Sequence, residues 1–152
     1  MKKLILFVFL LLNVIIVNAQ IKPTKQETID WLTEKIKGLK GTAGTYTINN
    51  NIITDSYVFK SGKTFKHSFS FDDVCNARSE RIENEKATFV HVKLKSPSPE
   101  YENGAPNGLT IEEGSFYIKD SGYESDTGLA ERMLKAFKTL AEYNCPPKKE
   151  AF

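Results

Sequence analysis

The sequence predicts one α+β domain: an N-terminal helix, about seven antiparallel strands in a bent sheet or barrel, and a C-terminal amphipathic helix. Apolar residues recur at helical spacing near both ends of the chain. Between these segments, apolar and polar residues alternate with the period of two that is typical of strands. Because the strands form one block, this order favours α+β over alternating α/β architecture. A length of 152 residues also fits one domain.

Residues 1–19 are predicted to be a cleaved signal peptide, followed by a single domain over residues 20–152. Lys2 and Lys3 precede the apolar run Leu4–Val17, and Val17-Asn18-Ala19 matches the small-residue cleavage pattern. The run of about 14 residues is shorter than the roughly 20 that cross a bilayer, which argues against the alternative of a retained anchor. We therefore expect a periplasmic or secreted protein with no membrane span after cleavage.

The charge balance excludes one class of partner. The formal net charge is +2, and Lys2 and Lys3 supply all of the excess. The domain that follows the signal peptide is therefore formally neutral, without the basic surface that nucleic-acid binding requires. We expect no nucleic-acid partner and a monomer.

The first helix is predicted over Thr24–Leu39. Thr24 and Glu27 have the spacing of a capping box, in which each residue satisfies a free backbone amide of the other. Its apolar stripe comprises Ile29, Leu32, Ile36 and Leu39.

The strand block begins at Thr45. The predicted strands are Thr45–Ile48, Ile52–Lys60, Lys63–Asp72, Val74–Ile82, Ala87–Lys95, Leu109–Glu113 and Ser115–Lys119. The clearest of them is Lys63–Asp72, which places Phe65, His67, Phe69 and Phe71 on one face. Prolines at 97, 99 and 106 predict a loop over Ser96–Gly108.

The last helix is predicted from Asp126 or Thr127 through Asn144. Its apolar stripe comprises Ala130, Met133, Phe137, Leu140 and Ala141. Pro146 and Pro147 end it, because proline cannot continue a helix.

This order resembles that of small exported bacterial proteins with a pleckstrin-homology-like (PH-like) barrel, to which the N-terminal helix is an addition. Phe69–Val74 followed by a polar strand resembles the step between two strands of such domains, and Ala130–Leu140 resembles their closing helix. The resemblance implies a bent antiparallel sheet closed at one end by the C-terminal helix. It implies a binding role only by analogy, since this fold supports many unrelated functions.

Cys75 and Cys145 are the only cysteines. An exported protein meets oxidising conditions, which favours a disulfide between them if the last helix packs over the sheet. The alternative is two separately buried thiols that behave as small apolar side chains. Neither cysteine lies in a recognisable nucleophile motif, so a catalytic role is not expected.

His67 lies on the aromatic face of its strand, where a hydrogen-bonded histidine of the core or of the barrel mouth is the ordinary interpretation. The alternative is a polar site formed by His67 with Asp72 or Asp73. The ordinary interpretation of the two aspartates is that they form a turn at the end of the strand. No spacing of metal ligands or cofactor-binding motif is present, so we expect no metal and no cofactor.

Tyr101, Glu100 and Glu102 lie in the predicted loop Ser96–Gly108 and are candidate partner contacts. With no assembled catalytic set, the sequence favours an exported, non-catalytic binding module for an unknown protein or a small apolar ligand. The alternative is a proteinaceous inhibitor or immunity-type protein directed against a secreted hydrolase. A small hydrolase that uses His67 is the third hypothesis.

Overall fold

The protein is described by a computed structural model that covers residues 22–39, 44–119 and 128–147. The predicted signal peptide and the predicted helix start at Asp126 or Thr127 lie outside these residues. The helices are α1 (Lys25–Lys37) and α2 (Leu129–Asn144). The strands are β1 (Gly44–Asn49), β2 (Ile52–Val58), β3 (Thr64–Ser70), β4 (Val74–Ile82), β5 (Ala87–Glu102) and β6 (Ala105–Lys119). The α+β class is confirmed.

The six strands form one antiparallel sheet in the order β1-β2-β3-β5-β4, and β6 pairs with β5. The long strand β5 organises it, because β4 pairs with its first half and β3 with its last residues. Strand β6 follows the opposite edge of β5, and its register shifts between Lys93 and Ser98. A register break of this kind bends a strand pair. The result is a bent sheet that does not close.

The predicted loop over Ser96–Gly108 is wrong, because this segment forms the paired ends of β5 and β6. The turn between them is Asn103-Gly104, with φ values of 50° and 85°. Asn-Gly in this left-handed region is the strongest hairpin signal in a sequence, and the prolines around it obscured that signal. The register shifts near Pro97 and Pro99 show how the pairing accommodates residues without an amide hydrogen.

Six strands replace the predicted seven because Leu109–Glu113 and Ser115–Lys119 belong to one strand, β6. Gly114, which lies between them, does not interrupt it. A Cβ atom at Gly114 would lie 2.4 Å from the ring of Phe69. Glycine at this position therefore lets the ring of a β3 residue lie directly against the backbone of β6.

Both helices pack one apolar stripe into the core beside the sheet. The capping box of α1 is confirmed: the Glu27 amide donates to Thr24 Oγ1 at 3.2 Å, and the Thr24 amide donates to Glu27 Oε2 at 2.8 Å. The ring of Phe137 in α2 is stacked on Phe116 of β6, with centroids 5.0 Å apart. The buried helix residues are Thr28, Ile29, Leu32 and Ile36 in α1, and Met133, Phe137, Leu140 and Ala141 in α2.

The C-terminal end of α2 is attached to the start of β4. Cys75 and Cys145 are paired, with their Cα atoms 5.3 Å apart. The side-chain amide of Asn144 also donates to the backbone oxygens of Phe71 and Val74, at 2.8 and 2.9 Å. The Cα separation of the two cysteines therefore lies within the range that a disulfide spans.

Tyr46 links β1 to the edge of β6 that no other described strand pairs with. Its hydroxyl donates to the backbone oxygen of Ser115 at 3.0 Å and accepts from the amide of Tyr117 at 3.4 Å. Its ring also contacts Phe116, with centroids 5.3 Å apart. One side chain thus substitutes for strand pairing where the bent sheet stays open.

We expect Tyr46→Phe to lower the free energy of unfolding by about 1–2 kcal/mol, because it leaves a backbone carbonyl and an amide without this partner. Urea denaturation followed by circular dichroism measures the change. Tyr143→Phe is the matched control, since the Tyr143 hydroxyl donates to Pro23 at the surface. Equal losses in the two variants would contradict the bridging role of Tyr46.

Candidate functional site

Four polar side chains lie opposite one another across the inner face of the sheet. The pairing places Tyr46 (β1) opposite Asp55 (β2), Asp55 opposite His67 (β3), and His67 opposite Glu100 (β5). Directly opposed residues share one face of a sheet, so the four side chains form a single row. We call them the polar row. It lies on the face that also carries Ile53 and Phe69 of the core.

Glu100 is the fixed carboxylate of this row. The residue is buried, with 8% of its surface exposed. The Tyr57 hydroxyl donates to Oε1 at 2.9 Å, and the Asn107 side-chain amide donates to Oε2 at 2.6 Å. Burial and this hydrogen bond to Glu100 raise the pKa of Tyr57 to about 12. The Tyr57 hydroxyl therefore stays protonated and holds the carboxylate in place.

His67 is buried, yet its ring has no hydrogen-bond partner within the described part of the chain. The residue is 7% exposed, and neither Nδ1 nor Nε2 makes a hydrogen bond. The Nε2 atom lies 3.8 Å from Asp55 Oδ2, which is too far for a hydrogen bond. Burial lowers the pKa of His67, partly opposed by the charge of Glu100. The imidazole is therefore neutral near neutral pH.

Asp55 carries an unneutralised charge near neutral pH. Burial raises its pKa to about 6, partly opposed by a hydrogen bond from the Ser56 backbone. The side chain is 18% exposed. Among residues 22–39, 44–119 and 128–147, no lysine or arginine forms an ion pair with Asp55 or Glu100. The row thus holds two carboxylates beside a neutral imidazole.

An aromatic group borders the row at the β2–β3 hairpin, which we call the aromatic rim: Tyr57, Phe59 and Phe65. Tyr57 and Phe65 are stacked with ring centroids 5.5 Å apart. Phe59 lies edge-on to both rings, and 54% of its surface is exposed. The rim therefore offers an accessible apolar surface next to buried polar groups.

The structure does not bring His67 together with Asp72 or Asp73, the acidic partners that the sequence suggested. The acidic neighbours of His67 are Asp55 and Glu100. Asp72 forms an ion pair with Lys25 at 2.5 Å, and Asp73 accepts from the amide of Ser70 at 3.4 Å. Both aspartates therefore act in the turn after β3, which is the ordinary interpretation of their position.

Glu100 and Glu102 lie on the inner face of β5, whereas Tyr101, the third predicted partner contact, lies on the outer face. Tyr101 is 36% exposed, and Glu102 pairs with Lys63 at 2.7 Å. Glu100 is instead part of the polar row. The sequence analysis missed Asp55, although an acidic residue in step with Ile53 and Tyr57 is a recognisable exception on an apolar face.

The other histidine, His91, belongs to a network on the outer face. Its Nδ1 lies 2.8 Å from Ser115 Oγ, and its Nε2 lies 3.4 Å from Glu80 Oε2. Arg78, directly opposite His91 on β4, pairs with both Glu80 and Glu113. The ion pairs of Arg78 lie at an exposed surface, where such pairs contribute little to stability. His91 is more buried, and its Nε2 makes no hydrogen bond within the described residues, but its Nδ1 has a partner in Ser115, unlike either nitrogen of His67.

A groove of about 440 Å³ lies between the helices, lined by Pro23, Glu27, Thr28, Trp31, Arg132, Lys135, Ala136 and Thr139.

Within the described ranges, no group of three or more histidine, cysteine, aspartate or glutamate residues could hold a metal ion. No helix among the same residues is long and apolar enough to cross a membrane.

Comparison of the chain with protein-family models, with curated proteins and with solved structures finds no match.

We expect Asp55→Asn to stabilise the protein by about 1–2 kcal/mol near pH 8, because it removes a desolvated charge but keeps the shape of the side chain. The folded-state pKa of about 6 lies above the ordinary value of the group. Ionisation of Asp55 therefore costs stability as the pH rises from the ordinary value to about 6, and the cost is complete above this folded-state pKa and absent below the ordinary value. Below about pH 4 the gain from the substitution should disappear.

Urea denaturation of both proteins across this pH range tests the expectation. Asp30→Asn is the matched control, because Asp30 is exposed on α1. A gain from Asp55→Asn that is the same at all pH values would contradict the assignment of a desolvated carboxylate.

Proposed function

We propose that the protein is an exported, non-catalytic binding module whose ligand occupies the polar row. The observation that carries this proposal is His67, a buried imidazole with two unpartnered nitrogens beside Asp55 and Glu100. Buried polar groups nearly always have partners, and a ligand would supply the missing ones. Convergent polar groups beside an apolar wall are also the usual composition of a small-molecule site.

Binding is favoured over catalysis by what surrounds His67. In the described residues, no hydroxyl or thiol is hydrogen-bonded to this imidazole. Nucleophilic catalysis needs a nucleophile within hydrogen-bonding reach of its base. The hydrogen bonds at this site instead hold one carboxylate in place, since Tyr57 and Asn107, which lie outside the row, both donate to Glu100.

The ligand is expected to combine a polar group with an apolar part. The sequence led us to expect a small apolar ligand, and the aromatic rim could contact the apolar part of one. The polar row, however, would be left desolvated and unpaired by a wholly apolar ligand. The two surfaces together favour an amphipathic small molecule.

The PH-like barrel and export belong to the same proposal. The bent antiparallel sheet with α2 packed against it supports the PH-like assignment, and Tyr46 takes the place of pairing between β1 and β6. Pairing of Cys75 with Cys145 supports a periplasmic or secreted location, because disulfides persist in oxidising compartments. Residues 1–19 would direct that export.

The inhibitor alternative was suggested by small size, export, a possible disulfide and a protruding acidic-aromatic loop over Ser96–Gly108. This segment consists of paired strands, and Glu100 within it is buried. Tyr101 and Glu102 remain at the surface, but the loop that favoured this alternative is absent from the described structure.

Native mass spectrometry of the protein purified from the cells that produce it tests the binding proposal. We expect the wild-type protein to carry a non-covalent small molecule and His67→Gln, purified in parallel, to have lost it. Lys66→Gln should retain it, because Lys66 is exposed on the opposite face of β3. Bare protein in the wild-type sample, or an equal adduct in His67→Gln, would overturn the proposal. Near-ultraviolet circular dichroism checks that each variant is folded.

A further inference from the structure

We infer that the ligand is a small organic cation, an ammonium group on an apolar body. Its charge would lie between Asp55 and Glu100, and its apolar body would contact the aromatic rim. This inference rests on the proposed function and adds the charge and chemical class of the ligand.

The inner face of the sheet holds carboxylates that differ in whether a cation neutralises them. Glu102 at the end of β5 is neutralised by Lys63, with 2.7 Å between the charged atoms. Asp55 and Glu100 have no such cation among the described residues, although both are more buried than Glu102. Carboxylates removed from water without a counter-charge are costly. A cationic ligand would offset this cost, whereas an anion would add a third like charge.

Hydrogen-bonding capacity carries the second step. Each oxygen of Glu100 accepts one hydrogen bond from the protein and has a second lone pair free. The neutral ring of His67 offers one nitrogen as an acceptor, and Asp55 offers its carboxylate. An ammonium group has three donors and no acceptor. The row therefore presents acceptors that match the donors of such a group.

The aromatic rim carries the third step. The faces of aromatic rings attract cations, and their apolar area binds a hydrocarbon body. Phe59 is largely exposed, while Tyr57 and Phe65 are stacked beneath its edge. The rim thus provides the accessible end of a site whose charged end is buried.

Cation binding should weaken in acid. The titratable groups that face Asp55 are Tyr46 from β1, Tyr57 on its own strand, His67 from β3 and, beyond His67, Glu100 from β5. Both tyrosines stay neutral, since their pKa values are raised to about 12. Asp55, with a pKa of about 6, loses its charge as the pH falls. Protonation of His67 at lower pH would then place a positive charge in the row.

The test uses three probes with one ring and different head groups: benzylammonium, benzyl alcohol and benzoate. Each is titrated into the oxidised, ¹⁵N-labelled protein while amide chemical shifts are recorded. We expect benzylammonium to shift amides around the polar row in a saturable manner near pH 7.5. We expect the alcohol to bind about tenfold more weakly and benzoate not to bind. Near pH 5, the affinity for benzylammonium should fall by about fivefold or more.

Two variants locate the binding. Asp55→Asn and Glu100→Gln should each weaken benzylammonium binding by about tenfold, whereas Asp30→Asn should leave it unchanged. Equal affinity for the alcohol and the cation, or tighter binding of benzoate, would overturn the cation inference but leave a binding site in the row. If none of the three probes shifts the row, the cation inference also fails. The binding proposal is then decided separately by the mass of the protein purified from its cells.

Discussion

A protein in which both Cys75 and Cys145 are replaced by alanine is expected to unfold with a free energy about 4 kcal/mol lower than that of the oxidised wild type. The cysteines are 70 residues apart in sequence, so their bond closes a long loop in the unfolded chain. A cross-link of this span removes much conformational freedom from the unfolded state and thereby favours the folded one.

Denaturation by guanidinium chloride, followed by circular dichroism, measures this loss. Both cysteines are replaced together because a single substitution would leave a reactive thiol. Wild-type protein under a reducing agent is the companion sample, and its denaturation midpoint should fall close to that of the double variant. A double variant with the midpoint of the oxidised wild type would show that the bond does not contribute to stability.

The elements that the sequence predicted well are those determined by neighbouring residues. The helix α1 lies within the predicted bounds because its capping box and its apolar stripe are local patterns. The strand β4 was predicted at its observed bounds, Val74–Ile82, between two turns with clear signals. Whether Cys75 of this strand forms a disulfide could not be decided from the sequence, since the bond depends on where α2 returns to the sheet.

The ends of β5 and β6 could not be predicted in this way, because distant contacts hold them. The hydroxyl of Ser98 donates to the backbone oxygen of Ser68 on β3, at 2.5 Å. Farther along β5, Glu100 and Glu102 also pair with residues of β3. Such pairing gives the proline-containing segment partners that no local pattern reveals. The prolines indicate a local preference for a loop, and the tertiary contacts of the segment outweigh this preference.

The candidate site was predicted only in part for the same reason. The alternation in β3 placed His67 on the inner face, and the structure confirms that position. Its acidic neighbours follow from the register of three strands, whereas Asp72 and Asp73 were chosen because they are close in sequence. A shift of register by one residue would turn Asp55 to the other face. Sequence alone does not fix that register.

Phe137→Ala is expected to lower the free energy of unfolding by about 3–5 kcal/mol, the range for removal of a fully buried aromatic ring. Phe137 has no exposed surface and is stacked on Phe116. Phe116 in turn contacts Phe69 edge-on and the ring of Tyr46. This series of rings connects α2 to both halves of the bent sheet. A cavity at Phe137 would therefore affect the packing between the helix and every part of the core.

Urea denaturation of a graded set of variants distinguishes this role from a general sensitivity of α2. Phe137→Leu refills part of the cavity and should lose about half as much free energy as the alanine variant. Lys138→Ala is the neighbouring control, because Lys138 is exposed and should change stability by no more than about 0.5 kcal/mol. If Phe137→Ala lost no more than the control, the helix would not be anchored through this ring. Since Tyr46 contacts the same series of rings and also begins the polar row, Phe137→Ala should additionally weaken benzylammonium binding more than Lys138→Ala does.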